Sequence, residues 1–385
     1  MFQSGNHRFL KALNQKHILN LLRMHAGLTA RELSERTGLK IATVLNLLNE
    51  LEASGQIVKK DFGRSTKQGG KRPVIWDINP DFGLALGVEW LSTQVRMVLI
   101  NFNLQIIAQQ TVEIAPGLKD QQKIDFFILS LKNFLAEKKK SMKQVLGLGI
   151  GLAGIVDFER GCVVSSWSFA QKKFPLKERL AEELPFPVYL DNESNAGVLG
   201  LKWLLPELFE TANIAYLTIH QCFSGMGSGF IFNHQLYRGK QNATGEWPPL
   251  FNKVWRNELS QKVDKNDPFF ARLISEKKSL PEICQLVREL SSKHEPIGTF
   301  FWQHIAEPIL ERLQLLNNIL DPEVVVLGGD IFEMRESLEP VIRERMEQLS
   351  MSSELQRPQL IFSPFGSYTN ALGAAVTVLN EVYNS

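Results

Sequence analysis

Thr29 and Glu32 stand three apart at the head of a short polar run that Gly38 closes, and an apolar-periodic run follows at once. A Thr side chain that meets the third backbone N–H, with a Glu reaching back to the Thr N–H, is a capping box. Gly38 can adopt the left-handed conformation at which helices end. The pattern predicts a short helix after Thr29 and a longer one from about Lys40 to Ser54, burying Val44, Leu47, Leu48 and Leu51 ahead of Gly55. A preceding helix, capped at Asn14, is expected to carry Ile18, Leu19, Leu21, Leu22 and Leu28 at roughly helical spacing. Helix, helix, tight turn, helix is the helix-turn-helix pattern, whose last helix lies in a DNA major groove.

The residues that follow extend this reading to a winged helix. Gln56–Lys60 and Val74–Ile78 have strand character around a polar, basic loop that includes Lys67, Gly69, Gly70, Lys71, Arg72 and Pro73. Such a loop, flexible, then cationic, then stiff, suits a narrow minor groove of strongly negative potential. Lys40, Thr43, Asn46 and Asn49 are the polar positions of the last helix, with Leu45 between them. Asn pairs with adenine and Thr touches a thymine methyl, so an A·T-rich site is expected. Three helices with a solvated basic loop would also suit a protein–protein module. Charge favours DNA: residues 1–80 hold 13 Lys and Arg against 6 Asp and Glu, whereas the other residues hold 30 against 35.

With 385 residues, 44% hydrophobic and 22% charged, the chain has globular composition and length for two or three domains. No run approaches the roughly 18 apolar residues of a membrane span, and the first residues lack a signal-peptide pattern. Cys162, Cys222 and Cys284 are scattered and odd in number, which excludes a disulfide framework and predicts a reducing cytoplasm.

From residue 83 the pattern turns β-rich. Leu84–Glu89, Val95–Ile100 and Gln105–Val112 read as strands, followed by a helix over about 121–138 and a strand at Val145–Gly151. A similar order returns with Ile214–Ile219, a glycine turn over 224–229, strands at Gly229–Phe232 and Gln235–Tyr237, helices, and Val324–Leu327. Two copies of this order predict two α/β lobes around a ligand cleft. The helices between Leu280 and Asn318 are apolar enough for core or for a subunit interface.

Four segments carry a resemblance: Gly149-Ile150-Gly151-Leu152-Ala153-Gly154-Ile155-Val156-Asp157, Asp191-Asn192-Glu193-Ser194-Asn195-Ala196, Thr244-Gly245-Glu246 and Asp321-Pro322-Glu323-Val324-Val325-Val326-Leu327-Gly328-Gly329. With Gly373-Ala374-Ala375 they resemble the ROK family of repressors and sugar kinases along essentially the whole chain. The resemblance implies a winged helix-turn-helix over 1–80 and an actin-like, sugar-kinase-like (ribonuclease H-like) α/β body. Its first lobe would span 81–190 with the terminal helix 368–385, and its second 191–367. It further implies that Gly154, Asn192, Glu193, Asn195 and Glu246 face an effector sugar, while Lys40, Thr43, Asn46, Lys67, Lys71 and Arg72 face DNA.

The kinases of the family have a phosphate turn Asp-x-Gly-Gly-Thr, a catalytic Asp and a zinc held by one His and three Cys. This chain has Glu89-Trp90-Leu91-Ser92-Thr93, so Leu91 stands where backbone N–H groups should approach phosphate. Glu193 replaces the Asp, one methylene longer than general-base geometry favours. Pro249 takes the place of the zinc His, no Cys-rich segment follows, and the donor set does not fit a zinc ion. The resemblance therefore implies a cofactor-free regulator, not a kinase: a dimer or dimer of dimers on a double-stranded operator, controlled by a sugar. A sugar kinase with an added DNA-binding domain and a ligand-independent DNA-binding protein are the competing readings.

Overall fold

The computed structural model describes residues 7–62, 72–220, 225–248, 295–348 and 358–384. Helix α1 (His7–Met24) contains Asn14 rather than being capped by it. Lys11 and Gln15, one turn apart, both hold Glu50 of helix α3 (Ile41–Ala53), at 2.7 and 2.9 Å, and this tie to α3 accompanies the helix back beyond its apolar residues. Leu28 leaves the helix and forms strand β1 (Leu28–Thr29). Helix α2 (Ala30–Thr37) has the expected capping box, with Thr29 Oγ1 accepting from the Glu32 N–H and Glu32 accepting from the Thr29 N–H. Gly38 closes it at φ 71°, a backbone conformation that would strain any residue with a Cβ. Strands β2 (Ile57–Phe62) and β3 (Val74–Ile78) pair antiparallel, and β1 adds to β3 in the order β1-β3-β2. The module is a winged helix.

The first lobe is built on β4 (Leu84–Trp90), β5 (Gln94–Asn101), β6 (Ile106–Glu113), β7 (Val145–Leu152) and β10 (Val188–Asn192), with α4 (Asp120–Glu137) between β6 and β7. A ribbon of β8 (Gly154–Asp157) and β9 (Cys162–Ser166), and a short α5 (Leu176–Ala181), separate β7 from β10. The second lobe holds β11 (Ile214–His220), β12 (Gly225–Phe232), β13 (Gln235–Tyr237), β14 (Val324–Gly329) and β15 (Gln359–Phe362). The sheets run β10-β7-β4-β5-β6 and β13-β12-β11-β14-β15. Counted along the chain within each lobe, both orders are 3-2-1-4-5, with antiparallel hairpins first and parallel pairs after. The duplication read from the sequence is a repeat of topology.

Helices α6 (Glu193–Leu204) and α9 (Thr369–Asn384) lie together, α9 against β4 and β7 and α6 against β12. Helix α7 (Glu295–Leu320) buries Trp302, Ile305, Ile309, Leu313 and Leu316 in the second-lobe core, beside α8 (Arg335–Gln348). The buried face of that part of the predicted helical region is core, while Leu315 on the same helix is exposed; residues 280–294 lie outside the described ones. One apolar cluster runs through head and body, joining Leu22, Leu48 and Trp76 to Phe102, Leu372 and Tyr383. Among the described residues no helix is long and apolar enough to cross a membrane.

The glycine turn expected over 224–229 is, from Gly225 on, the strand β12. Its glycines answer a packing demand: a Cβ on Gly227 would lie 2.2 Å from Ser194 Oγ, and one on Gly229 2.2 Å from the Ser194 carbonyl. Their absent side chains let the first turn of α6 rest on the strand.

Candidate functional site

The outward face of the last head helix carries Thr43, Asn46 and Asn49 in solvent, and Lys40 at its N-cap is exposed too. Ile41 and Leu45 share that surface, 48% and 42% exposed, while Val44, Leu47, Leu48 and Leu51 form the buried stripe. An apolar side chain among Asn and Thr suits a groove floor lined with thymine methyls. Arg72 is exposed beside β3. Lys67 and Lys71 lie outside the described residues. Lys59 and Lys60 of β2 are paired with Glu52 and Asp77, both at 2.7 Å.

A cleft of about 460 Å³ opens between the lobes, with Gly154, Glu193, His220, Glu246 and Trp247 in its walls. Strand β10 ends at Asn192, and Asn192 caps α6 by accepting from the Ser194 and Asn195 N–H groups at 2.8 and 3.3 Å. Its Nδ2 donates to the Gly154 carbonyl and Glu193 Oε2, both at 3.0 Å, and reaches Glu246 Oε1 at 3.4 Å. One amide thus gathers three of the predicted residues, Gly154, Glu193 and Glu246. Asn195 is set apart: it is buried behind the cap, donates to Asp191 at 3.2 Å, and does not line the cleft. Arg238 of the second lobe grips the other Asp191 oxygen at 2.7 Å and so steadies the end of β10.

Glu193 is almost wholly buried, whereas Glu246 reaches solvent at the rim. Loss of hydration and then the Glu193 charge push the Glu246 carboxyl up to about 7. Solvent at the rim limits how far this can go. Trp247 packs on the second-lobe core and donates its indole N–H to Ser228 Oγ at 2.6 Å, so it is both core and cleft wall. An ionised carboxylate beside a shared amide can accept hydrogen bonds from vicinal hydroxyls.

Below the cleft lies a network that sequence reasoning missed. His220 sits with Nδ1 3.4 Å from Glu89 Oε1 and Nε2 3.7 Å from Glu193 Oε1. The Nδ1 contact is close enough for charge attraction but is not aligned as a hydrogen bond. Burial opposes a charged imidazole here, yet the Glu89 and Glu193 carboxylates outweigh it and hold His220 above its ordinary value. Glu89, fully buried, also accepts from Arg96 at 2.9 Å and from Asn370 at 2.7 Å. Arg96 continues to Asp330 at 2.5 Å and so ties β5 of the first lobe to the end of β14 in the second. Leu91, just past Glu89, is 2% exposed and lines the cleft. A single Arg inside the apolar run Val95–Ile100 and a His ending Ile214–Ile219 were the available signals. Among the described residues no cluster of His, Cys, Asp and Glu could hold a metal ion; Ser224, Pro249, Cys222 and Cys284 lie outside them.

The ROK family profile matches residues 85–248 and 269–381, and a winged helix-turn-helix DNA-binding profile matches 13–58. The xylose repressor of Caldicellulosiruptor bescii is 25% identical over 98% of each chain. A solved ROK family transcriptional regulator, a homologue of the E. coli MLC protein, superposes with a TM-score of 0.76 at 18% identity, over 98% of this chain and 97% of that one. A ROK glucokinase from Streptomyces griseus, solved with glucose and AMPPNP, superposes with a TM-score of 0.63 at 19% identity. It covers 77% of this chain and 99% of its own, so the two folds share the body alone. With the profile matched along both lobes and a DNA-binding head in front of them, the chain belongs to the ROK family.

Proposed function

We propose that this protein is a cytoplasmic transcriptional repressor of carbohydrate genes whose operator affinity is set by a sugar-like effector in the inter-lobe cleft. The observation that carries the reading is the apolar cluster running from the winged helix into α9, which itself lies against the cleft-bearing helix α6. Residues 1–80 act as the head, 81–190 with 368–385 as one lobe and 191–367 as the other. Two heads of a homodimer, or of a dimer of dimers, read the half-sites of a pseudo-palindrome. Lys40, Thr43, Asn46, Lys67, Lys71 and Arg72 contact the duplex; Gly154, Asn192, Glu193 and Glu246 contact the effector, and Asn195 supports them from behind the cap. The xylose repressor over the full length supports the repressor role. The effector moves the DNA equilibrium by its differential affinity for two lobe arrangements, typically worth about 1–3 kcal/mol.

Buried Leu91, the Glu at position 193 and the engagement of Glu89 with Arg96 all speak against phosphoryl transfer. The decisive experiment titrates the purified full-length protein with genomic promoter fragments, with and without a panel of pentoses and hexoses. Retention of a fragment and its release by a sugar support the proposal. Retention unaffected by every sugar would leave a DNA-binding protein without this effector. Formation of sugar phosphate from ATP would make it a kinase.

A further inference from the structure

Trp167 stands at the cleft rim, 92% exposed, on the loop that follows β9. Its backbone is pinned on both sides. Ser166 Oγ donates to the Ala153 carbonyl at 2.7 Å and accepts from the Ser168 N–H at 3.0 Å, and Lys123 Nζ donates to the Ser168 carbonyl at 2.6 Å. Ser168 is 1% exposed, lines the cleft, and has its hydroxyl buried with no partner among the described residues. An exposed indole on a pinned stretch of backbone and an orphaned hydroxyl thus come from neighbouring residues of the cleft lining. Buried hydroxyls without partners are rare, and Ser168 lines the same cleft as Trp167.

Size bears on what fills it. One pyranose ring, with about a dozen heavy atoms, takes on the order of 200 Å³ at protein-like packing. The cleft of about 460 Å³ holds two. Glu193 and His220 deep in it and Glu246 nearer the rim offer hydrogen bonds, which suits the hydroxyls of a sugar. At its rim the Trp167 face offers an apolar plane, which suits the C–H face of a second ring.

We infer that the effector is a neutral saccharide of at least two pyranose units, one held by Glu193 and Glu246 and the next stacked on Trp167. This rests on the cleft being the effector site. The test is calorimetry on the full-length protein with xylose, xylobiose, glucose and cellobiose, in the parent, Trp167→Ala and Trp167→Phe. At least one disaccharide should bind tenfold or more tightly than its monosaccharide. Trp167→Ala should erase that gain without moving the monosaccharide Kd, and Trp167→Phe should keep most of it. Equal binding of one and two rings in the parent, or a gain that survives Trp167→Ala, overturns the inference while the effector site stands. Binding of no saccharide overturns both. If Trp167→Ala changes the assembly mass by light scattering and leaves sugar affinities alone, the indole serves a subunit contact and the inference fails.

Discussion

Arg23 Nη1 donates to the Trp203 carbonyl at 2.5 Å, and its guanidinium carbon lies 4.4 Å from the centre of the Trp203 ring. Arg23 is in the last turn of α1 in the head, and Trp203 is in the last turn of α6 in the body. The first residue of α6 is Glu193, in the cleft wall. At 1.5 Å per residue, the helix carries cleft geometry about 15 Å from Glu193 to Trp203, which meets the DNA-binding module. Burial lowers the Arg23 pKa to about 10, with Tyr383 acting in the opposite sense, and the aromatic faces of Trp203 and Phe209 take over from lost water.

Arg23→Met should therefore uncouple the two ends. It keeps much of the apolar stem but removes the carbonyl bond and the ring contact. Operator Kd without effector should change little, while the effector-induced loss of affinity, typically about 5–150-fold, should shrink towards unity. Fluorescence anisotropy on a labelled operator, with and without sugar, measures both quantities. A full response in the variant would move the coupling path elsewhere.

Glu193→Gln tests the cleft from the other end. Asn192 is a poorer choice, because removing its cap of α6 costs about 1 kcal/mol besides the ligand contact. The Gln variant should lose sugar binding at least tenfold by calorimetry and keep its grip on ligand-free operator.

Effector binding should depend on pH through Glu246. Its pKa of about 7 means the carboxylate is protonated on the acid side of neutrality and accepts hydroxyl hydrogen bonds on the basic side. Sugar affinity should rise between pH 6 and 8, and Glu246→Gln should flatten the rise. His220, Glu193, Glu89 and Arg96 are the other charged groups around the cleft floor. Repeating the titration in His220→Asn assigns the remaining slope to Glu246; a slope surviving in the double variant would assign it to another group.

Arg96→Ala should be the most destabilising single change in the network. It removes the guanidinium that pairs with both Glu89 and Asp330 across the lobes, at a cost of about 3–5 kcal/mol. Urea denaturation should show it, and Glu89→Gln combined with Arg96→Met should recover part of the loss. A cost below 1 kcal/mol for Arg96→Ala would mean that water already compensates the cluster.

On the DNA side, Arg72→Ala should weaken operator binding across sequences and reduce the slope of log K against log salt by about 1. Asn46→Ala should cost about 1–3 kcal/mol on the cognate operator and relax selectivity at one base pair. Equal losses on specific and random DNA for Asn46→Ala would make it a backbone contact.

Local chemistry accounts for what was legible in the chain. The capping box at Thr29 and Glu32, the left-handed Gly38 and the four-residue apolar stripe of α3 each involve neighbours within a few turns, so they could be read without a fold. The same holds for the two strand sets, which recur in order, whereas the Asn192–Glu193 pair was marked by its resemblance to the ROK motif. Asn14 misled because a good local cap is overruled when Glu50, 36 positions away, anchors the preceding turns. Gly227 and Gly229 misled because close helix approach and tight turning both call for a missing Cβ, and the chain alone does not distinguish them.

The amino-acid order by itself determined a DNA-binding head and a duplicated α/β body, since periodicity, caps and charge act over short stretches, and its resemblance to the ROK family pointed to the residues around Asn192. Only the folded chain decided that Glu89, Arg96, His220, Asp330 and Asn370 converge under the cleft and that Arg23 meets Trp203. Those contacts join segments separated by up to 281 positions. Their energy exists only once burial removes the competing water, and burial is a property of the packed lobes rather than of any local run.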